Sequence, residues 1–354
     1  MTEQPKQIPL LYLDQNILSE IAKGRFHGLF NKIRSGDMQL IYSYVHIAET
    51  ARRNNQEFQS KVVQAVADMN GAYIHEGKLH FDKSPQLRLD EHFANPDVYS
   101  NLVGSMEKFA HKFFGGQQGK NFQLLIEAKQ KTFAALMQHL VENIKLLSES
   151  KAEGIQRSLP ELELLPDLMQ HQFQEAASKL SATLAAIPSP ETFDGASEFR
   201  AAIEVAPISL NNIRPPNVMQ KIWDQASASG KIPSQISSAS DFLAKGVWAH
   251  IKDGEPTWVD KISSLYSLLN LIGYCPDNKL HKDGKFRSSM GDQSHATFAA
   301  FAQILITGDE RMAKKIYAVY EYLGIGTLVC WYKKDANGRF VLLIGEEIFL
   351  QTQP

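Results

Sequence analysis

The sequence has few of the features that mark membrane, secreted or thiol-based proteins. Its 354 residues contain two cysteines, Cys275 and Cys330, both in apolar surroundings and neither at metal-ligand spacing to a histidine. Two such cysteines cannot form a zinc site alone, and we expect both to be reduced and buried. No apolar run reaches membrane-spanning length, and the first ten residues lack the form of a signal peptide. We therefore expect a cytoplasmic protein with no membrane partner.

The chain also lacks an excess of either charge. The formal net charge is −2, so binding to nucleic acid would need a local basic patch or metal ions rather than an overall positive field. The glycines of KFFGGQQGK do not follow the order of a phosphate-binding loop. What the sequence does have is a 44% apolar share, which is typical of a globular protein with a sizeable core.

Strand and helix patterns alternate at both ends of the chain. The run IPLLYL (8–13) is continuously apolar, as in a strand buried on both faces, and a helix pattern follows it to about Gly24. The strand MQLIYS (38–43) comes next. Alternation resumes near Trp258 and includes the strands QILIT (303–307) and IGTLVCWY (325–332). This alternation predicts a parallel α/β sheet with right-handed crossovers, flanked by helices.

The middle of the chain has a different pattern. After a short hairpin predicted over Ala72–Asp82, helical periodicity dominates. We therefore predict one α/β domain built from residues 1–71 and 252–354, with a mostly helical insertion at 72–251 and a C-terminal hairpin. Two separate α/β domains would each have too few strands for a stable sheet. The best helical segments of the insertion are Asp97–Phe114, Asn121–Ser150 and Glu161–Ile187.

Four acidic residues fall where this topology brings side chains together. Asp14 directly follows the first strand, and Asp309 follows QILIT with only Gly308 between them. Glu49 lies about two turns into the helix after the second strand, and Asp292 is predicted to open the helix before QILIT. Ligands of open α/β sheets bind beyond the carboxyl ends of the strands, where the strand order reverses. We therefore expect the four carboxylates to meet in one cleft.

Such a cleft points to metal-dependent chemistry. Clustered carboxylates repel one another unless cations neutralise them or some are protonated. Oxygen ligands without a histidine or thiolate cluster suit Mg²⁺ or Mn²⁺. Two such ions about 4 Å apart would activate a water and stabilise the leaving oxygen in phosphodiester cleavage. The acids therefore predict hydrolysis of a phosphodiester bond.

The segments LYLDQN, YSYVHIAET and GDQSHATFAAFAQILITGDERM together resemble the motifs of PIN-like domains, which are metal-dependent ribonucleases on a parallel α/β sheet. The resemblance covers roughly residues 5–70 and 255–335. It implies a PIN-like fold, an endoribonuclease activity on RNA, and catalytic, metal-binding roles for Asp14, Glu49, Asp292 and Asp309. The long segment 72–251 has no counterpart in the family pattern, so we expect it to affect substrate choice, bind a protein partner or cover the site.

Other polar residues near the cleft have supporting roles in this hypothesis. Asn16 would orient Asp14 or a metal-bound water, and Thr307 would donate its hydroxyl to a bound water. His295, on the same helical face as Asp292, would contact a substrate phosphate or a metal-binding acid. The basic residues nearest the cleft, which could contact RNA phosphates, are Arg52, Arg53, Lys314 and Lys315.

Simpler interpretations of the same residues stay open at this point. Asp14, Asp292 and Asp309 are each typical of helix N-caps, and Glu49 is spaced to pair with an arginine on its own helix. A catalytically silent PIN-like scaffold could bind RNA or protein through the insertion. A haloacid-dehalogenase-like phosphatase would also place an aspartate after a strand, but it needs a second aspartate where this chain has Asn16.

Overall fold

The structure, a computed structural model, describes residues 8–75, 77–94, 195–232, 238–244, 257–277, 285–334 and 340–350. The described residues within 1–95, 198–278 and 288–354 form one compact unit. The three long helices predicted between residues 97 and 187, and the predicted turn of the C-terminal hairpin, lie outside the described residues.

Seven strands form one mixed sheet in the order β4-β3-β2-β1-β5-β6-β7. They are β1 (Leu10–Leu13), β2 (Gln39–Ser43), β3 (Ala72–His75), β4 (Lys78–His80), β5 (Ile304–Thr307), β6 (Leu328–Lys334) and β7 (Phe340–Ile344). The five inner strands run parallel, and β4 and β7 pair antiparallel with their neighbours at the two edges. The predicted α/β class is confirmed, and both predicted hairpins form the edges of the sheet.

The central strand shows why the first apolar run has no alternation. β1 pairs with β2 on one side and β5 on the other, with Leu11 opposite both Leu40 and Ile304. Leu11 and Leu13 are fully buried. A strand covered on both faces gains from apolar side chains at every position, which removes the period-two pattern of a half-exposed strand.

Helices flank this sheet, and several of their ends follow local sequence signals. Gly24 and Gly36 take positive φ values of 77° and 84° just after the first two helices, and the first of these ends where the sequence predicted. The Asn55 side chain accepts the Phe58 N–H at the start of α4. The described helices are α1 (Gln15–Ala22), α2 (His27–Arg34), α3 (Tyr44–Ala51), α4 (Gln56–Asp68), α5 (Pro85–Ala94), α6 (Gly195–Ala202), α7 (Pro207–Asn211), α8 (Val218–Ser227), α9 (Ala239–Ala244), α10 (Trp258–Ile272), α11 (Lys285–Ala299), α12 (Glu310–Leu323) and α13 (Glu347–Leu350).

Part of the predicted insertion packs with the α/β domain. β3 and β4 extend the sheet beyond β2, and the carboxylate of Glu321 on α12 accepts the N–H groups of Asn217 and Val218 at 2.8 and 2.9 Å. Arg200 on α6 donates to the carbonyl oxygen of Leu271 on α10 at 3.1 Å. Part of the segment 72–251 therefore contacts the α/β domain, and the boundary predicted at residue 251 lies outside the described residues.

Neither cysteine is paired. Cys275 and Cys330 are both buried and free, as expected. Burial raises the pKa of each thiol to about 11, so both stay protonated at neutral pH and neither is an activated nucleophile. In the part of the chain that the structure describes, no helix combines the length and the apolar character needed to cross a membrane.

Candidate active site

Three of the sequence-predicted acids follow the carboxyl ends of parallel strands. The chain leaves β1 toward β2 on one side while β5 lies on the other, so the strand order reverses between β1 and β5. Asp14 directly follows β1, and Asp309 follows β5 after one residue. The helix α3, which carries Glu49, begins directly after β2. We call the set Asp14, Glu49, Asp292 and Asp309 the acid rim.

Asp14 is buried, with 2% of its surface exposed, and both of its carboxylate oxygens accept hydrogen bonds. Its Oδ1 accepts the Ile17 N–H at 2.8 Å, which caps α1. Its Oδ2 accepts the Thr307 hydroxyl at 2.5 Å and the Gly308 N–H at 3.2 Å. Burial raises the pKa of Asp14 above its ordinary value, although these bonds and the nearby His295 oppose the rise. The bond from Thr307 ties the end of β1 to the end of β5.

Asp309 has the capping role that its position also allowed. Its Oδ1 accepts the N–H groups of Arg311 at 2.8 Å and Met312 at 3.0 Å, at the start of α12. Its own N–H donates to the Thr307 hydroxyl oxygen at 3.0 Å. The Thr307 side chain therefore connects the backbone of Asp309 with the carboxylate of Asp14. Two of the predicted acids are thus fixed on either side of one hydroxyl group.

Glu49 contacts α11. Its Oε2 lies 3.7 Å from His295 Nε2, and its Oε1 lies 3.1 Å from Arg52 Nη2. A Cβ atom on Gly291 would lie 2.3 Å from Oε1, so a glycine at this position lets α11 approach the carboxylate. Burial acts to raise the pKa of Glu49, but attraction to His295 and Arg52 outweighs it and lowers the pKa to about 2. Glu49 is therefore ionised at neutral pH.

Asp292 lies inside α11, and the prediction that it opens a helix is wrong. The helix begins at Lys285, seven residues earlier. The segment before Asp292 is polar and has no apolar periodicity, so it has no local helix signal. Asp292 and His295 still lie one turn apart on the same helix, as the sequence indicated.

The Asp292 carboxylate is the least compensated of the four. It is half-buried, and no described residue donates a hydrogen bond to it. Burial raises its pKa well above the ordinary value, and the negative charges of Asp277, Asp309 and Glu49 raise it further, while Lys315 opposes the rise. A carboxylate in such surroundings needs a proton or an added cation.

A buried ion pair, which the sequence did not predict, lies beside the acid rim. Lys315 is fully buried, and its Nζ donates to Asp277 Oδ1 at 2.5 Å and to Asn270 Oδ1 at 2.8 Å. Asp277 Oδ2 accepts the Ser289 hydroxyl at 2.5 Å and the Asn270 side-chain amide at 2.9 Å. Lys315 therefore places a fixed positive charge close to Asp292.

The four basic residues predicted to contact RNA phosphates have intramolecular contacts. Lys315 is held in the ion pair above, and the buried Lys314 donates to Glu310 at 2.6 Å. Arg52 pairs with Glu49, and the Arg53 guanidinium lies 5.7 Å from the centre of the Phe58 ring. The two lysines are buried, whereas the predicted phosphate contacts require side chains on an exposed helix face. Arg52 and Arg53 are exposed.

Buried polar groups form a hydrogen-bond network next to His295. The Tyr12 hydroxyl lies 2.8 Å from His295 Nδ1 and 3.0 Å from the Ser43 hydroxyl. His46 Nδ1 accepts the Ser43 N–H at 3.0 Å, so its proton is on Nε2, which donates to the Leu13 carbonyl at 2.7 Å. Burial and the nearby His295 lower the pKa of His46 to about 3, which keeps this ring neutral. This hydrogen-bond network fixes the His295 ring, which contacts Glu49 on α3.

Several residues of this site were missed by sequence reasoning. A tyrosine inside a fully apolar strand is a usable signal, since its buried hydroxyl needs a partner. A glycine directly before a candidate catalytic acid is a second signal of close backbone approach. Asn16, the residue predicted to orient Asp14 or a metal-bound water, is exposed in the first turn of α1. The missed residues are Tyr12, Ser43, Asn270, Asp277, Ser289 and Gly291.

The acid rim suits a hard divalent cation in ligand type and in charge. All four side chains offer carboxylate oxygens, which Mg²⁺ and Mn²⁺ prefer, and Asp292 lacks a compensating donor. Among the described residues, no three histidine, cysteine, aspartate or glutamate side chains converge closely enough to hold a metal ion as they stand. The acid rim therefore matches a divalent cation in the type of its ligand atoms, but it is not a preformed coordination site.

Comparisons with known proteins identify no relative. No protein-family model, curated protein or solved structure matches the chain. Any function assigned to this site therefore depends on the residues and the geometry described above.

Proposed function

We propose that the protein is a metal-dependent endoribonuclease of the PIN-like type that hydrolyses RNA phosphodiester bonds at the acid rim. The observation that carries this proposal is the environment of Asp292. Its half-buried carboxylate takes no hydrogen bond from the described residues and lies in the negative field of Glu49 and Asp309. Of these two acids, Asp309 follows β5 beside the reversal of strand order. A divalent cation would remove this repulsion, and such sites are suited to phosphodiester chemistry.

In this proposal the acids of the rim supply negative charge to the ion, and neighbouring residues hold those acids in position. Bound Mg²⁺ or Mn²⁺ would lower the pKa of an attacking water and stabilise the leaving oxygen. Glu49 is ionised and offers a permanent negative charge to the ion. Thr307 holds the Asp14 carboxylate against the end of β5, and His295 holds Glu49 against α11. These contacts limit the movement of the ligands and keep them oriented for an ion.

The buried position of Asp14 favours hydrolysis by water over the phosphatase alternative. A covalent aspartyl intermediate would need a carboxylate oxygen that reaches the substrate, but Asp14 is buried and holds three hydrogen bonds. A protein partner bound through residues 72–251 and a cytoplasmic location remain predictions within this proposal.

Cleavage of a labelled RNA by Asp292→Asn tests the proposal. We expect the wild-type protein to cut the RNA internally with Mn²⁺ or Mg²⁺ and to stop in EDTA, and we expect Asp292→Asn to lose this activity. Asp68→Asn is the matched control. Asp68 is exposed at the end of α4, just before the start of β3, and so lies near the amino ends of the parallel strands rather than their carboxyl ends. Its cleavage should equal that of the wild type.

Thermal unfolding of the same variant separates a functional loss from a folding loss. The raised pKa means that ionised Asp292 destabilises the metal-free protein at neutral pH, so Asp292→Asn should keep or increase the melting temperature in EDTA. The increase that Mn²⁺ gives the wild type should disappear. RNA cleavage unchanged in Asp292→Asn, hydrolysis of small phosphomonoesters alone, or RNA binding without any cleavage would each contradict the proposal.

A further inference from the structure

A pocket of about 350 Å³ opens beside the acid rim. Asn16 and Gly308 line it, and they lie within two positions of Asp14 and Asp309 along the chain. The rest of the wall comes largely from β6 and β7, which form the edge hairpin of the sheet. The pocket therefore lies next to two residues that neighbour acids of the rim in sequence, although none of its lining residues belongs to the acid rim.

Four aromatic residues line this pocket, and three of them, Phe26, Tyr332 and Phe340, contact one another. The Tyr332 ring lies 4.2 Å from Phe26 and 4.8 Å from Phe340 between centroids, and it is stacked on Phe340 with a 20° angle between the planes. Phe340 is 47% exposed and lies on the edge strand β7. An exposed aromatic stack at an open pocket is a ready surface for a further planar ring.

The backbone at Phe26 is strained. Its φ is 62°, in the left-handed region that bulky residues seldom adopt, and it directly precedes α2. Such a conformation is costly and persists where the surroundings fix it. Here the contact with Tyr332 and Phe340 fixes the Phe26 ring at the pocket wall.

The charges around the pocket favour an anionic ligand. The Lys334 ammonium lies 5.1 Å from the centre of the Phe340 ring, and the neighbouring Lys333 also lines the pocket. The acidic lining residue, Glu20, pairs with Lys23 at 2.7 Å and with Arg25. Because Lys23 and Arg25 compensate the Glu20 carboxylate, Lys334 at the Phe340 ring is available to an anionic group.

We propose that this pocket binds a nucleobase of single-stranded RNA, stacked on Phe340 and Tyr332, with a flanking phosphate at Lys334. Aromatic rings that stack bases beside lysines that contact the backbone are the common means of binding single strands, and a duplex hides its base faces. The inference rests on the proposed function for the identity of the polymer. It adds the substrate class, a single strand, and a binding site for one of its bases.

Binding of a fluorescein-labelled oligouridylate in EDTA, followed by fluorescence anisotropy, tests the pocket without any cleavage. Phe340→Leu keeps an apolar side chain but removes the stacking face, and we expect roughly 5- to 150-fold weaker binding. Phe340→Trp should bind at least as tightly as the wild type. Phe81→Leu is the control, because Phe81 is 61% exposed next to β4 at the opposite edge of the sheet, and its binding should not change.

Two further arms identify the polymer and the phosphate contact. A base-paired RNA of equal length should bind more weakly than the single strand. Lys334→Gln should weaken binding and reduce the slope of log affinity against log salt by about 1. Equal binding by Phe340→Leu and Phe340→Trp, preference for the duplex, or no binding by the wild type would overturn the pocket assignment.

The same measurements separate the two proposals. Metal-dependent cleavage together with unchanged binding by Phe340→Leu would remove the pocket and leave the nuclease. Single-strand binding that depends on Phe340, without cleavage in any metal, would support the pocket and remove the nuclease.

Discussion

Removal of the Thr307 hydroxyl perturbs the one side chain that connects two acids of the rim. Thr307→Val has nearly the same shape, but it takes away the donor to Asp14 Oδ2 and the acceptor of the Asp309 N–H. Thr307 is fully buried, so water cannot replace either bond easily. The variant therefore isolates the electrostatic role of a single hydroxyl group.

The expected loss follows from the two bonds. A hydrogen bond to a charged group contributes about 1.5–3 kcal/mol, and a backbone N–H left without a partner adds about 1 kcal/mol. We expect the free energy of unfolding of Thr307→Val to fall by about 2–4 kcal/mol at neutral pH. Thr327→Val is the control, since the buried Thr327 hydroxyl donates at 2.7 Å to the neutral carbonyl of Ala302, and its loss should be about 1 kcal/mol.

The pH dependence identifies the cause. The folded-state pKa of Asp14 already lies above its ordinary value of 3.8, so ionisation lowers stability as the pH rises through that window. Loss of the Thr307 bond raises this pKa further and widens the window. The deficit of Thr307→Val should therefore reach its full size above the raised pKa, and below the ordinary pKa it should fall toward the roughly 1 kcal/mol lost at the Asp309 N–H.

Urea unfolding of both threonine variants at neutral and at acid pH measures this difference. The gap between Thr307→Val and the wild type should shrink as the pH falls, while the gap for Thr327→Val stays constant. A Thr307→Val deficit that is independent of pH would refute the charged hydrogen bond to Asp14 as its source.

Three further substitutions test separate contacts. Tyr12→Phe removes the hydroxyl that orients the histidine of α11, and metal-dependent cleavage should fall about 10- to 100-fold. Gly291→Ala places a methyl group against Glu49 Oε1, so cleavage should fall in the same assay. The melting temperature should change little, because the preference of alanine over glycine in a helix, about 0.5–1 kcal/mol, offsets the close contact. Lys315→Met leaves Asp277 as an unpaired buried charge and should cost about 3–5 kcal/mol in urea unfolding.

Each of these has a matched control in the chain. Tyr274→Phe removes a buried hydroxyl that has no hydrogen-bond partner among the described residues, and its activity should not change. Gly28→Ala, inside α2 with no atom within 4 Å of the added methyl group, should leave cleavage unchanged. Asp277→Asn should recover part of the stability lost in Lys315→Met. Full activity in Tyr12→Phe or Gly291→Ala, or no recovery in the double variant, would contradict the described contacts.

The strand ends were predictable because local signals and topology agree there. The apolar runs at 8–13 and 303–307 are strands in the structure, and the acids that follow them cap α1 and α12 while lying at the reversal of strand order. Here the capping interpretation and the site interpretation are compatible, since Asp14 uses one oxygen for the cap and the other for Thr307.

Long-range contacts were not predictable from local patterns. Lys315 has the sequence context of an exposed basic helix face, yet its partner Asp277 lies 38 residues away and draws it into the interior. α11 starts at Lys285, within a segment that has no apolar periodicity, and its contacts to α3 and α10 at Gly291 and Gln293 come from distant parts of the chain. The contact between Tyr12 and His295 spans 283 residues, so only the assembled sheet brings them together.

The most direct test of the acid rim is a crystal soaked in Mn²⁺ and measured for anomalous scattering. We predict a strong anomalous peak coordinated by Asp292 together with at least one other carboxylate of the rim. A well-ordered rim without such a peak, or Mn²⁺ bound only at unrelated surface acids, would contradict the metal-dependent mechanism.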